Sequence, residues 1–430
     1  MKIERKALLT ALKAALKVTT GKNTFPILSC VLIDGPGQQI VATDLETAVI
    51  LPLEISDYTR TMSTETVEED LLEGLKGPQL KQLAEDYGIT LPKGKPTVTV
   101  TRETIMTACQ NAAGEEKEWQ EKFCLHGKSL QNIISTIEDD TVEIALAKGE
   151  DADTLSFMDT ENPYVRIGEN FHNLAAFSVD DFPVVEKENL DEVPAISVCR
   201  ENLSNVAMAA CNDKTGGFNL SMAYFDCKEN SLVATDGHRL HWVPLEKPPE
   251  NAMSFGLPLG PMKILLSESR KGDSLSFKYD NEKKLVQSPL GENGVLQTRV
   301  MEGSFPDWQA VVKRQPQKNV TVAKAAIETP LLQALSISGS DFNGVRIRFN
   351  GGMDVEFTNP HKGEYQKVSI PIQSKSYKDD ETLIGINGRF LLDAMKPIES
   401  ENLEIGFTDQ SEAMFFKHEN FNALVMPMRL

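Results

Sequence analysis

The chain has little that would support catalysis, a metal centre or a membrane span. No window of its 430 residues approaches the roughly 18 consecutive apolar residues a spanning helix needs. The amino-terminal run MKIERKALLTALKAALK reads as an amphipathic, Lys-rich helix without the apolar core and small-residue cleavage site of a secretory signal, so a cytoplasmic location is expected. The six cysteines (Cys30, Cys109, Cys124, Cys199, Cys211, Cys227) form no CxxC pair, which fits buried thiols in a reducing compartment. His126, His172, His241, His361 and His418 have no ligand spacing, so neither a metal nor another cofactor is expected. GxSxG, HExxH and a complete P-loop are missing. Gly127-Lys128-Ser129 imitates the end of a P-loop, but Lys122 stands where its first glycine is required. Asp236 and His238 are the one candidate acid–base pair for a hydrolase. The same pattern recurs at Asp44, followed by Leu-Glu, so the repeat keeps the turn and drops the histidine. These absences favour a binding protein over an enzyme.

Positive charge is also scarce: 44 Lys and Arg against 63 Asp and Glu leave a formal charge of −19. Taken alone this opposes a nucleic-acid partner, because phosphate contacts need cations. Net charge averages over the whole surface, however, and the placement of the basic residues matters more.

Internal repetition is what the sequence does have. Its length exceeds what one hydrophobic core organises, so two to four domains are expected. GQQIVATDLETAVILPL, around Val41 to Leu53, returns as NSLVATDGHRLHWVPL, around Ser231 to Leu245, and more loosely as MDVEFTNPHKGEYQKVSIPI from Met353 to Ile372. Phe-Pro at 182–183 recurs at 305–306. Each unit opens with a helix (ERKALLTALKAALK, CRENLSNVAMAACN, KAAIETPLLQALS) and carries a second one midway (GKSLQNIISTI, GPMKILLSESRK, NGRFLLDAMKPIE). The remainder alternates apolar and polar residues between Gly, Asn and Asp turns, the pattern of antiparallel strands. The fold class is therefore α+β: three repeated domains, each two βαβββ halves with two helices on one side of antiparallel sheets. The helices start near residues 5, 200 and 324, spacings of about 195 and about 124, so roughly 70 residues are inserted in the first unit. The expected domains are 1–185, with the insertion at about 57–122, then 194–315 and 319–430.

The basic residues recur at related places. At 100° per residue, Lys6, Lys13 and Lys17 lie within about 40° of one another, apart from the Leu8, Leu9, Leu12 and Leu16 stripe that would face the sheet. Lys263 and Arg270 are seven apart, and Arg389 and Lys396 repeat that spacing. Lys22, Lys128, Arg200, Lys214 and Lys324 sit at or near the ends of the other helices. Solvated helix faces explain any one of these. Their recurrence in an acidic chain points to a surface able to track phosphates without reading bases.

With the repeats in view, the chain resembles the bacterial β sliding clamps, the beta subunits of DNA polymerase III. The motifs are TFPILSCVL at Thr24 to Leu32, ATDLE at Ala42 to Glu46, SVDDFP at Ser178 to Pro183, VATDGHRL at Val233 to Leu240, GSFPDW at Gly303 to Trp308, FNGVR at Phe342 to Arg346, and the final VMPMRL. The resemblance implies a non-catalytic processivity factor in DNA replication, a head-to-tail homodimer whose six domains close a ring around duplex DNA. Its partners would be the replicative polymerase, a clamp loader and other clamp-motif proteins. The interface would join a strand near Phe171 and Leu174 to a surface near Leu332 and Ile337. A partner-peptide pocket maps to Thr235, Gly237, His238, Arg239, Leu240, Pro306, Val311, Leu424, Met426, Pro427, Met428 and Arg429, with Asn387 and Phe390 in its second subsite. Phe390 stands where the family often has Tyr. Met426 and Met428 suit several partners, and Arg239 or Arg429 can hold a carbonyl or an acidic group. Three departures bear on the site: Ala310 replaces a basic residue, the usual Arg-Lys is missing near Leu259 and Gly260, and tyrosines are missing near Gly217 and Phe218.

The inserted EEDLLEGLKGPQLKQLAEDYGI, a Lys/Pro/Gly-rich connector and TRETIMTACQNA resemble the helix-extension-helix modules of the SAP and LEM type. With 8 basic and 13 acidic residues between Asp57 and Lys122, a protein-interaction module is favoured over a structural appendage, and both over a DNA contact. The competing non-enzymatic reading is a monomeric clamp-like DNA-binding or polymerase-decoy protein, which would lack the self-association surface.

Overall fold

A computed structural model describes residues 1–19, 25–56, 122–146, 164–167, 173–211, 220–301, 303–338, 343–359, 363–378 and 381–429. The expected insertion, together with Lys22, Phe171 and Lys214, lies outside the described residues. The chain divides into two compact units, Met1–Glu186 and Lys187–Leu430.

In the first unit β1 (Lys2–Glu4) leads into α1 (Arg5–Thr19), then β2 (Cys30–Asp34), β3 (Gln39–Thr43) and β4 (Thr47–Pro52), with a short β5 (Ile55–Ser56). The order then repeats: β6 (Lys122–His126), α2 (Gly127–Thr136), β7 (Thr141–Leu146), β8 (Tyr164–Ile167) and β9 (Asn173–Phe177). The second unit holds four more such halves. They are β10 (Ala195–Cys199), α3 (Arg200–Ala207), β11 (Met222–Asp226), β12 (Ser231–Thr235) and β13 (Arg239–Pro244); then β14 (Phe255–Pro258), α4 (Leu259–Glu268), β15 (Ser274–Asp280), β16 (Leu285–Leu290) and β17 (Gly294–Arg299). After a short α5 (Trp308–Val312) come β18 (Lys318–Ala323), α6 (Lys324–Ser338), β19 (Gly344–Phe349), β20 (Met353–Asn359), β21 (Glu364–Ile370) and β22 (Ile372–Lys375). The last half is β23 (Thr382–Asn387), α7 (Gly388–Met395), β24 (Asn402–Phe407), β25 (Met414–His418) and β26 (Phe421–Val425). A strand precedes each helix that opens a half, so every half starts one element earlier than the helix signal in the sequence suggests.

The halves interlock by one rule. The opening strand of each pairs antiparallel with the second strand of its sibling: β1 with β7 and β6 with β2, β10 with β15 and β14 with β11, β18 with β24 and β23 with β19. The two helices of each pair also touch: α1 with α2, α3 with α4, and α6 with α7. The joints recur down to single bonds. The N–H of Arg5 donates to Asp140 O at 2.8 Å, that of Arg200 to Asp273 O at 2.9 Å, and that of Lys324 to Glu401 O at 2.8 Å. Each helix thereby satisfies an early orphan donor on the carbonyl that follows its neighbour's end.

Amphipathic patterning explains which faces go inside. On α1, Leu8, Leu12 and Leu16 are buried with Ala11, Ala14, Ala15 and Val18, Leu9 is half-buried, and the helix lies on β3 and β4. Strands flanked on both faces, such as β12, are buried throughout, whereas β21 alternates along its length. The five described cysteines are free thiols. The Cys124 thiol is pushed far up by its hydrogen bond to Cys30 and by burial, which keeps it inert. Among the described residues, no helix is long and apolar enough to cross a membrane.

Candidate functional site

The turn between β12 and β13 carries the residues singled out around Asp236. Thr235 Oγ1 donates to Arg239 O (2.6 Å) and accepts from the Gly237 N–H (3.1 Å). Asp236 Oδ1 accepts from the N–H groups of His238 (2.9 Å) and Arg239 (3.0 Å). This bend requires a left-handed residue, and Gly237 supplies it at φ +86°. The turn between β3 and β4 repeats each bond: Thr43 Oγ1 to Thr47 O (3.0 Å), Leu45 N–H to Thr43 Oγ1 (3.0 Å), and the Glu46 and Thr47 N–H groups to Asp44 Oδ1 (3.0 and 2.6 Å). There the left-handed position is held by Leu45, at φ +80° and 56% exposed. Asp236 is therefore a turn-holding group. Its remaining oxygen, Oδ2, sits 3.0 Å from Arg239 Nε, leaving no base for His238 to work with.

Arg239 is committed to the fold. The residue is 9% exposed; Nη1 donates to Asp393 Oδ2 on α7, and Cζ lies 4.4 Å above the Phe390 ring centroid. The His238 ring stacks beyond Phe390, with centroids 6.4 Å apart and planes 18° apart. Of the two arginines expected to be available to a ligand, Arg239 is spent in this way and Arg429 is exposed. Asn387 is likewise occupied: its side chain caps α7, accepting from the N–H groups of Arg389 (3.0 Å) and Phe390 (3.3 Å).

The carboxy-terminal segment runs alongside this turn. β26 pairs with β13 (Arg239 opposite Val425, Leu240 opposite Leu424). The chain then continues extended, the Met426 N–H bonding His238 O and the Met428 N–H bonding Gly385 O, both at 2.8 Å. Alternation turns Leu424 and Leu240 inward, into a cluster with Val233, Trp242, Trp308, Ala413 and Phe415. Trp308 Nε1 donates to Asp226 Oδ2 at 3.1 Å, and Asp307 caps α5 by accepting from the Ala310 N–H at 3.2 Å. Thr235, Leu240 and Leu424 are thus a buried floor. Above it Val311 (37% exposed), Met426 (37%) and Met428 (42%) remain open, with half-buried Pro306 and Pro427. Three large apolar side chains held half in solvent around a rigid, tryptophan-backed floor suit an apolar peptide segment. Sequence reasoning missed Asp393, Trp242 and Asp226. Asp393 is 154 residues from its arginine, so no local pattern could announce it.

The expected cationic residues divide into two groups. Lys6, Lys13, Lys128, Lys263, Arg270, Arg389 and Lys396 are exposed, and Lys17 is half-buried. Arg200 Nη2 donates to Leu266 O (3.2 Å) and Lys324 Nζ to Ile398 O (2.6 Å), each bonding a carbonyl at the end of the neighbouring helix. Arg270 lies beyond α4, which ends at Glu268, so it does not share a helical face with Lys263; the Ser269 hydroxyl bonds Leu265 O (2.8 Å) at that end. Of the residues expected at a self-association surface, Leu174 is half-buried on β9 and Leu332 is exposed on α6. Ile337 lies on α6 near its end.

Residues 310–429 match the family model for the DNA polymerase III beta subunit, C-terminal domain. The chain is 22% identical to the beta sliding clamp of Pseudomonas putida over 453 aligned positions, covering all of this chain and 99% of the relative. It is 25% identical to that of Proteus mirabilis over 293 positions, 64% of this chain and 75% of the relative. The crystal structure of DNA polymerase III subunit beta from Pseudomonas aeruginosa superposes with a TM-score of 0.69 at 19% identity, covering 100% of this chain and 99% of that one. The sliding clamp from Bacillus subtilis gives 0.71 at 16%, covering 100% and 98%. The six interlocked βαβββ halves are the fold these structures share.

Proposed function

We propose that this protein is a processivity factor for a replicative DNA polymerase, a non-catalytic clamp that encircles duplex DNA without sequence specificity. The observation that carries the reading is the sixfold βαβββ module with its helices paired two by two. Two copies joined head to tail would close a ring of six such domains, a heterologous contact that closes by rotation. Exposed Leu332 and the open edge of β21, terminal in its sheet among the described strands, support a self-association surface with Ile337, Phe171 and Leu174. The expected domains 1–185, 194–315 and 319–430 are the units of that ring.

The rim of Pro306, Val311, Met426, Pro427 and Met428, bordered by His238, Phe390 and exposed Arg429, is the proposed seat for a short apolar segment of the polymerase, the clamp loader and other clamp-motif proteins. Deleting residues 426–430 tests this. Stimulation of the polymerase should be lost while sedimentation still reports a dimer. Retained stimulation would remove the pocket, and a monomer would make the segment structural.

A further inference from the structure

The six long helices among the described residues are not equivalent in charge. On α3 the ionisable pair is Arg200 and Glu201, on α4 Lys263 and Glu268, on α6 Lys324 and Glu328, on α7 Arg389 and Asp393, one cation and one anion each; the exposed cations that follow α4 and α7, Arg270, Lys271 and Lys396, stand in stretches that also hold exposed Asp273 and Glu399. Arg200 and Lys324 are further engaged by helix-end carbonyls. By contrast α1 carries Arg5, Lys6, Lys13 and Lys17 and no acidic residue, and α2 carries Lys128 and none. The cations are also gathered toward one end. The N–H bond from Arg5 to Asp140 puts the start of α1 beside the end of α2, where exposed Glu4, Glu138, Asp139 and Asp140 offset Arg5 and Lys6. A Cβ on Gly127 would meet Leu16 Cδ2 at 2.7 Å, so the start of α2 packs against the last turns of α1. Lys13, Lys17 and Lys128 therefore share the far end. At 1.5 Å per residue, Lys13 and Lys17 are about 12 and 18 Å along the axis from Arg5, beyond a Debye length of about 8 Å.

We infer that duplex DNA is held electrostatically by the first domain alone, its phosphates tracked by Lys13, Lys17 and Lys128, while the helix pairs of the second and third domains are neutral walls. The inference rests on the proposed clamp function. In a ring of two copies it gives two cationic sectors in place of a uniformly basic lining. Each phosphate neutralised contributes about 0.9 to the slope of log affinity against log salt. The test is fluorescence anisotropy of a labelled linear duplex with the full-length protein, from low to physiological KCl. Lys13→Gln/Lys17→Gln/Lys128→Gln should flatten the slope by roughly 2.7 per copy. Lys263→Gln/Arg389→Gln, of the same chemical kind, should leave it near the wild-type value. Equal flattening by both sets, or a larger effect of the second, would overturn the inference and leave the clamp reading standing. Unchanged thermal melts exclude misfolding as the cause, and single Lys13→Gln and Lys17→Gln variants, each expected to flatten the slope by about one unit, keep the test decisive if the triple variant does not fold.

Discussion

Replacing His241 by valine should remove an acid-sensitive part of the second unit's stability. The imidazole is fully buried on β13, with Nδ1 donating to Asn205 O of α3 at 2.8 Å and the ring edge-on to Phe421 at 5.3 Å. Nε2 is buried with no hydrogen-bond partner. Burial is the main cause that lowers its pKa to about 4, from about 6.5 in an unfolded chain. Between those values the unfolded state holds a proton that the folded state refuses. The contribution is thus fully present above pH 6.5 and is lost as the pH falls toward 4. At about 1.4 kcal/mol per pH unit, acidification from pH 7 to pH 5 costs about 2 kcal/mol. For a unit of this size that is roughly 4 to 8 °C in Tm. Valine is what the first repeat uses at the matching position, Val49, also fully buried. The variant should lose about 1–3 kcal/mol at neutral pH, from the vacated volume and the orphaned carbonyl. Urea melts of both proteins from pH 7.5 to 5 measure the gap between them, which should narrow by about 2 kcal/mol. Acid effects from carboxylates common to both cancel in that difference. Parallel pH curves would show that His241 is not held neutral by burial.

Two further substitutions probe the turns. Leu45→Gly should stabilise the first unit by roughly 0.5–1 kcal/mol, read as a higher unfolding midpoint, because a branched residue at φ +80° carries left-handed strain that glycine does not. A lower midpoint would mean that the exposed leucine packs against something in the folded molecule. Arg239→Ala should cost about 2–3 kcal/mol, somewhat less than breaking a fully buried pair, since Asp236 keeps two N–H bonds and Asp393 is partly exposed. Arg239→Lys should restore little, because one ammonium cannot reproduce the fork to both carboxylates; full recovery would show that charge alone suffices.

Much of the fold was legible because its rules are local. The V-A-T-D recurrence announced two turns whose hydrogen bonds match one for one, and the four-residue spacing of Leu8, Leu12 and Leu16 marked the buried face of α1. What escaped were facts decided by distant parts of the chain. Arg239 looked available until Asp393 and Phe390, brought by α7, closed on it. Leu240 and Leu424 looked like pocket lining, yet strand alternation and Trp308 make them floor. Arg200 and Lys324 looked like ligand cations, but each lies beside another helix's free carbonyls, a neighbour that only pairing of the halves creates. Arg270 kept the right spacing from Lys263 on a helix that had already ended.

Retention on closed circular DNA against the same DNA linearised is the most direct measurement of topological enclosure. With the clamp loaded on a nicked circle, restriction cleavage should release it within the time taken to slide off an end, at salt concentrations where the intact circle still holds it. Equal retention on both forms would mean that the protein grips DNA without surrounding it.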